Sequence, residues 1–413
     1  MCRRCKGVIL GCRGLWQSKS ASKMSQPINI DDLRRLARIR LPRVVFDFLD
    51  GGAEDEVTLQ RNRQAYEDIQ LRPKILNGGM VDLSVNLFGQ KFSAPFIIGP
   101  TGLNGIYWPK GDLHLASAAQ GAGVGFAVST ASNTSMEAIA QQTDSPLWFQ
   151  LYPWGKPGFS EALIERAANA GYAALIVTVD SLVGGKRERD LRHGFSHEIK
   201  MSAPVILDGL MHPRWLGSVW LGRNRPRLQN LVAFLGEGVS DAALADFTRS
   251  QRNPHFSWDD VRRIRKQWNG PLLIKGIMCG EDALRACKEG ADGVIVSNHG
   301  GRQLDGAPAT IEVIEDIAGQ LDRDATVLLD GGIRRGSDIV KALALGAHGV
   351  LLGRATLYGL AAGGRDGAAQ ALSILEDEVR RTLIFIGCKS VQQLGQHHIA
   401  GRRNAAALPG RNT

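Results

Sequence analysis

Four stretches of this 413-residue chain repeat one local grammar: "QGAGVGFAVST", "NAGYAALIVTVD", "EGADGVIVSNHG" and "LGAHGVLLGRA". In each, a helix tail ends near a glycine, a small residue or tyrosine follows, and a β-branched apolar run begins. Gly121, Gly171, Gly290 and Gly346 are placed to supply the left-handed residue that closes a helix, a conformation open to a residue without Cβ. The apolar runs are continuous rather than alternating, as in parallel strands covered on both faces. Four further runs, "PFIIGP", "LWFQLY", "PLLIKG" and "ATVLLDGG", bring the strand candidates to eight, near 95–99, 125–129, 147–152, 174–179, 272–276, 293–297, 326–330 and 349–352. Amphipathic segments such as "GEDALRACKEG" and "GSDIVKALALG" separate most of them. Strands alternating with helices in this number specify an α/β (β/α)8 TIM barrel. An N-terminal helical segment precedes it, and a long insertion, 181–270, separates strands four and five. An open doubly wound sheet is disfavoured, because no Gly-rich dinucleotide loop follows the first strand.

The net charge of +9 invites a nucleic-acid reading, and its location argues against one. Residues 1–23 carry six basic and no acidic side chains, residues 401–413 carry three basic and none acidic, and residues 24–400 balance. A nucleic-acid footprint needs a basic face on the folded body, so no nucleic-acid partner is expected. A binding protein that uses the tails alone stays as a different-class alternative, testable by removing them. "CRRC" (Cys2, Cys5) has metal-ligand spacing but no second CxxC follows, so no metal site is expected. Nothing in the spacing of the six cysteines suggests a disulfide framework, so a reducing compartment is expected. The first 23 residues read as a targeting segment or as sequence upstream of a start at Met24. The chain divides into that basic extension (1–23), the barrel body (24–390) and a C-terminal tail (391–413). No apolar stretch reaches the ~18 residues needed to span a bilayer.

Active sites on this fold sit at the C-terminal ends of the strands. Those ends carry "PTG" (Pro100, Thr101, Gly102), Ser129, Gln150 with Tyr152, Thr178 with Asp180, Lys275, and Ser297 with His299 in "SNHGGRQLD". "DGGIRRG" (Asp330, Gly331, Gly332, Arg334) and "GR" (Gly353, Arg354) complete the ring. A lone histidine is usually structural; a histidine in a closed ring of polar strand ends is a candidate catalytic group. The last two loops read as a phosphate site, with glycines that let backbone N–H groups approach an anion and an arginine to pair with it.

Together "SNHGGRQLD", "DGGIRRGSDIVKALALGA" and "LGRA" resemble the flavin mononucleotide-dependent α-hydroxy-acid oxidising family. "LPRVVFDFLDGGAEDE", "GPTGLNGIYWPKGDL", "LWFQLY" and "RERDL" extend the resemblance from about Ile30 to Cys388. "PTGLNG…WPKGD" and "HPRW" are similar to the mandelate-oxidising branch. The resemblance implies FMN as cofactor and oxidation of an (S)-2-hydroxy acid, mandelate-like, to the 2-oxo acid. His299 is implied to be the base, Asp180 its charge partner, Arg302 and Arg187 the carboxylate clamp, and Tyr152 a hydroxyl donor to the substrate. Lys275 is implied to lie by the flavin's pyrimidine end. Pro100, Thr101, Gly102, Ser129, Gln150, Thr178 and Ser297 match flavin contacts; Asp330, Gly331, Gly332, Arg334, Gly353 and Arg354 match ribityl-phosphate contacts.

Two positions bear on specificity. Phe48 stands where the family usually has a tyrosine whose hydroxyl helps bind the carboxylate, which favours larger, more apolar 2-hydroxy acids. Gly102 stands where the family's oxidases generally carry alanine, which implies a dehydrogenase that passes electrons to a quinone-type acceptor. The alternatives are an L-lactate dehydrogenase, an oxidase using dioxygen and, further off, a non-redox flavin barrel. The insertion mixes tryptophans, leucines and arginines in "HPRWLGSVWLGRNRPRLQNLVAFLGEG", a composition suited to a membrane interface. A lid or subunit contact is the alternative. The expectation is a cytoplasmic protein, peripheral on the inner membrane's cytoplasmic face, and by resemblance a homotetramer.

Overall fold

A computed structural model describes residues 26–77, 79–195, 202–222, 226–250, 253–322 and 324–402. The basic stretch 1–23, with Cys2, Cys5 and Cys12, lies outside the described residues, as do Arg403 and Arg411. Eight parallel strands form a closed barrel: β1 (Phe96–Ile98), β2 (Phe126–Ser129), β3 (Leu147–Leu151), β4 (Ala174–Thr178), β5 (Leu272–Ile277), β6 (Gly293–Val296), β7 (Thr326–Leu329) and β8 (Gly349–Leu352). Closure comes from β8 pairing with β1, Val350 opposite Phe96. Every expected strand is present. Their side chains are buried on both faces, inward against the barrel's own filling and outward against the helices, so a period-two alternation never arises.

Three of the four expected helix-closing glycines are left-handed: Gly171, Gly290 and Gly346, with φ of 78°, 99° and 110°. The first repeat differs. Its helix (Gly111–Ala122) runs through Gly121 and closes on Gly123, φ 65°. The reason is packing: a Cβ on Gly123 would lie 2.3 Å from Ser93 Oγ, whereas one on Gly121 would meet nothing within 4 Å.

Three helices lead into the barrel: α1 (Ile30–Arg40), α2 (Arg43–Asp50) and α3 (Val57–Glu67). Asn29 caps α1, accepting from the Asp32 N–H at 2.8 Å. The α2 segment carries Phe48 to the barrel mouth and is fixed at its end by Asp50. That carboxylate takes a two-pronged bond from Arg34 (2.6 and 2.7 Å) and the hydroxyl of Tyr358 at 2.7 Å. Burial opposes the charge on Asp50, yet these partners hold its carboxyl well below the usual range. At the other end of the chain, Ile399–Arg402 pairs antiparallel with Ile69–Leu71.

Between β4 and β5 lie α4 (Glu188–Arg192), α5 (Ala203–Met211), α6 (Gln229–Leu235) and α7 (Asp241–Ser250), then the crossover helix Trp258–Gln267. Trp215 is buried and its indole N–H donates to the Ile106 carbonyl at 2.7 Å, pinning this segment to the barrel. On α5, by contrast, Leu207, Leu210 and Met211 are 63%, 60% and 72% exposed. The tryptophan of "HPRW" therefore turns inward, and the outward apolar face is aliphatic. No described helix is long and apolar enough to cross a membrane.

Candidate active site

The strand ends converge. Ser129, Gln150, Thr178, Lys275 and Ser297, all buried, form a row around the mouth. Ser129 Oγ donates to Gln150 Oε1 at 2.9 Å, and Gln150 Nε2 donates to Thr178 Oγ1 at 3.0 Å. Lys275 Nζ donates to Ser297 Oγ at 2.7 Å and pairs with Asp330 Oδ2 at 2.9 Å. Burial works against the Lys275 ammonium, but Asp330 and Asp180 more than offset it, and its pKa is raised. A fixed cation is thus held in a largely dry place, where its field is screened little.

His299 is the next group along. Its Nδ1 lies 2.8 Å from Asp180 Oδ1, and its Nε2 faces the Tyr152 hydroxyl at 3.5 Å. Burial disfavours an ionised Asp180, but the His299 ring and the Lys275 charge win, and its carboxyl lies below the ordinary range. An ionised carboxylate on Nδ1 fixes the tautomer, leaving Nε2 as the acceptor that faces the cavity. Gly276 makes the approach possible, since a Cβ there would sit 2.7 Å from Asp180 Cβ.

Arg302 and Arg187 flank Phe48, with guanidinium carbons 5.0 and 5.5 Å from its ring, and the ring stacks on Phe195 at 4.1 Å. Arg302 Nη1 donates to the carbonyls of Phe48 (2.8 Å) and Gly51 (2.9 Å). Arg354 donates to those of Leu49 (3.1 Å), Gly51 (2.7 Å) and Gly300 (2.9 Å). Two cations therefore complete the C-terminal carbonyls of α2, where the helix dipole is negative. Desolvation of the partly buried Arg354 guanidinium brings its pKa down to about 10 and leaves it charged at neutral pH. Behind Arg187, buried Asp190 lies 3.0 Å from its Nε, and burial pushes that carboxyl up.

Gly331 and Gly332 turn the chain with φ of 100° and 76°, and a Cβ on Gly332 would lie 1.9 Å from the Asn62 carbonyl. The Arg334 guanidinium carbon lies 5.3 Å from the Tyr358 ring. Most of these groups border one cavity of about 530 Å3, within the usual range for a small-molecule or cofactor site, while Ser129, Asp180, Asp190 and Ser297 lie outside its lining. Its mouth holds Pro100, Thr101 and Gly102, and its outer wall comes from the insertion: Trp220, Leu228, Leu244 and Ala245.

The family model described as "FMN-dependent dehydrogenase" matches residues 37–401. The chain belongs to that family. It is 45% identical over 378 residues to (S)-mandelate dehydrogenase of Pseudomonas putida, covering 91% of this chain and 95% of that one. It is 41% identical to an L-lactate dehydrogenase of Pectobacterium atrosepticum, covering 88% and 94%. A solved structure described as the monotopic membrane protein (S)-mandelate dehydrogenase superposes with a TM-score of 0.88 at 44% identity, covering 92% of this chain and all of that one.

The site fits the FMN on which this family depends. Asp330 Oδ1 is buried without a hydrogen-bond partner and borders the cavity, ready for a ribityl-type hydroxyl. At Gly353 a Cβ would meet nothing within 4 Å, so the backbone there is open to a ligand. The row of hydroxyl and amide groups suits the polar edge of a flavin ring.

The insertion borders the cavity, as the lid alternative required, but its residues there were not foreseen, because nothing local in "GVSDAALADF" says that Leu244 and Ala245 face inward. Sequence reasoning also missed Trp154, which borders the cavity and stacks on Tyr152 at 6.3 Å, and Asp190, which lay unremarked inside "RERDL".

Proposed function

We propose that this FMN-dependent dehydrogenase oxidises an (S)-2-hydroxy acid with an apolar, mandelate-like side chain to the 2-oxo acid. The observation that carries the reading is His299, held at 2.8 Å by Asp180 and bordering one cavity with Arg187, Arg302, Lys275 and Gln150. FMN, when bound, accepts the two electrons that leave the substrate's α-carbon. Arg187 and Arg302 bind and orient the carboxylate; a guanidinium fork matches its plane. The Tyr152 hydroxyl donates to a substrate oxygen. His299 Nε2 takes the proton released in the oxidation, and Asp180 stabilises the resulting cation through Nδ1–H. Lys275 would lie at the flavin's pyrimidine end, where its charge favours the reduced form. Ser129, Gln150, Thr178 and Ser297, with Pro100, Thr101 and Gly102, would hold the ring. Asp330, Gly331, Gly332 and Arg334, with Gly353 and Arg354, would hold the ribityl phosphate.

Phe48 presents a ring where a hydroxyl would add a carboxylate contact, and Trp220, Leu228, Leu244 and Ala245 offer apolar surface to a large side chain. Both favour an aryl over a methyl group. The test is the visible spectrum of the purified protein before and after anaerobic (S)-mandelate, L-lactate and glycolate. Yellow protein bleached fastest by (S)-mandelate supports the proposal. Fastest bleaching by L-lactate moves the substrate assignment, and no bleaching by any of them overturns the reading.

Electrons pass onward to a quinone-type acceptor at a membrane. Two features support this: the exposed aliphatic face of α5, with Leu221 beyond it, and the description of the similar mandelate dehydrogenase as monotopic. Docking is peripheral, on the cytoplasmic face, with α5 dipping into the headgroup region. Assembly as a homotetramer belongs to the same reading and rests on the family resemblance.

A further inference from the structure

Two polar residues of "SNHGGRQLD", Asn298 and Asp305, take no part in the chemistry above, yet both are tied to α3. Asn298 and Asn62 form a reciprocal amide pair. Asn62 Nδ2 donates to Asn298 Oδ1 at 2.9 Å, and Asn298 Nδ2 donates to Asn62 Oδ1 at 2.8 Å. Asn298 Nδ2 also donates to the Pro308 carbonyl at 3.0 Å, and its Oδ1 accepts from the Gly301 N–H at 3.2 Å. A side-chain amide has two donors and two acceptor sites, so Asn298 is saturated. Both amides are buried, 1% and 6% exposed, and neither borders the cavity. Further along, Asp305 accepts from the N–H groups of Thr58 (2.7 Å) and Val57 (3.2 Å), satisfying the first donors of α3.

Between these anchors His299 holds φ 56°, the left-handed region that residues with a Cβ rarely adopt. Such a conformation persists only where the surroundings over-determine it. The surroundings here are α3 and the loop's own amide: a Cβ on Gly301 would come within 2.6 Å of the Leu59 backbone nitrogen, so loop and helix touch.

We propose that Asn62 and Asn298 are positioning residues for the proton transfer. Their amide pair holds the backbone of His299 in the left-handed geometry that aims Nε2 into the cavity. This rests on His299 being the base. The test compares His299→Ala, Asn62→Ala, Asn62→Asp and Asp305→Asn holoenzymes by rapid-mixing bleaching with (S)-mandelate. Limiting rate, apparent Kd, flavin content and Tm are recorded for each. Asn62→Ala is expected to slow the limiting rate about tenfold to a hundredfold, as a misplaced base does, with Kd within about threefold and flavin retained, since no substrate or flavin contact is removed. Asn62→Asp keeps the shape but lacks the donor when ionised. Its rate, taken as a ratio to wild type at the same pH so that protonation of His299 cancels, is expected to lie between those of Asn62→Ala and wild type and to rise towards wild type as pH falls and the carboxyl regains a donor; it also serves if the alanine variant does not fold. Asp305→Asn is expected to lower Tm with the limiting rate within about threefold of wild type. An Asn62→Asp rate equal to wild type at every pH overturns the proposal, as does a rate loss in Asp305→Asn matching that in Asn62→Ala at equal loss of Tm. If His299→Ala itself bleaches at a near-normal rate, the fault lies with the base assignment.

Discussion

Removing the charge of Asp180 while keeping its shape, as Asp180→Asn, isolates what the carboxylate does for His299. The contacting atoms are 2.8 Å apart, and the pair is mostly shielded from water. With charge centres about 4 Å apart and an effective dielectric near 20, the attraction between the carboxylate and a protonated imidazole is about 4 kcal/mol. An asparagine oxygen still accepts from Nδ1–H and keeps roughly 1 kcal/mol of that as an ordinary hydrogen bond. The barrier should therefore rise by about 3 kcal/mol, a fall of roughly a hundredfold to two hundredfold in the limiting rate of flavin bleaching. The apparent Kd for (S)-mandelate should stay within about threefold, because the proposed carboxylate ligands, Arg187 and Arg302, are separate from this pair. Rapid-mixing absorbance under anaerobic conditions gives both quantities from one substrate series. A limiting rate within about threefold of wild type refutes the reasoning and leaves Asp180 a structural partner of a histidine that needs no counter-charge.

Phe48→Tyr should tighten the binding of small 2-hydroxy acids by about 0.5–1.5 kcal/mol, the value of one hydrogen bond, read as Kd from bleaching titrations with L-lactate. Asp50→Asn should cost about 2–3 kcal/mol of stability at neutral pH, a broken buried pair discounted because Arg34 is 41% exposed. Since the folded pKa of Asp50 is depressed, its contribution is complete above the ordinary carboxylate pKa of about 4 and is lost as pH falls through the folded value. The difference in denaturation midpoint between wild type and variant should therefore shrink on acidification. Leu207→Glu with Leu210→Glu should leave bleaching unchanged and release the protein from anionic lipid vesicles in a sedimentation assay; retention would clear α5 of a docking role. Reduced wild-type enzyme should pass electrons to a quinone or dye about a hundredfold faster than to dioxygen, roughly 2.7 kcal/mol in barrier, and equal rates in stopped-flow reoxidation would mark an oxidase.

The barrel was legible because its signals are local. A glycine that ends a helix and a continuous apolar run are properties of about ten adjacent residues, and eight such units admit few architectures. The ring of polar groups followed from the same logic, since strand ends in a closed parallel barrel must share one mouth. What the sequence hid are the tertiary decisions. Gly121 and Gly123 are equivalent as letters, and only the nearness of Ser93 chooses between them.

Trp215 and Leu207 are equally apolar, yet the indole finds the Ile106 carbonyl and turns inward while the leucine stays out. A tryptophan needs a partner for its N–H when buried, and a leucine needs none. Composition therefore marked an apolar-rich segment without telling which of its side chains face outward. Arg302 and Arg354 show the same gap at the site itself. Their type predicted anion binding, and the structure adds that each also completes the C-terminus of α2, some 250 and 305 residues away in the chain. One guanidinium thus fixes the helix that presents Phe48 while bordering the cavity that Phe48 shapes. Substituting either arginine should then perturb the position of α2 together with anion binding. That is why Phe48, whose change touches neither backbone contact, is the cleaner probe of specificity at this mouth.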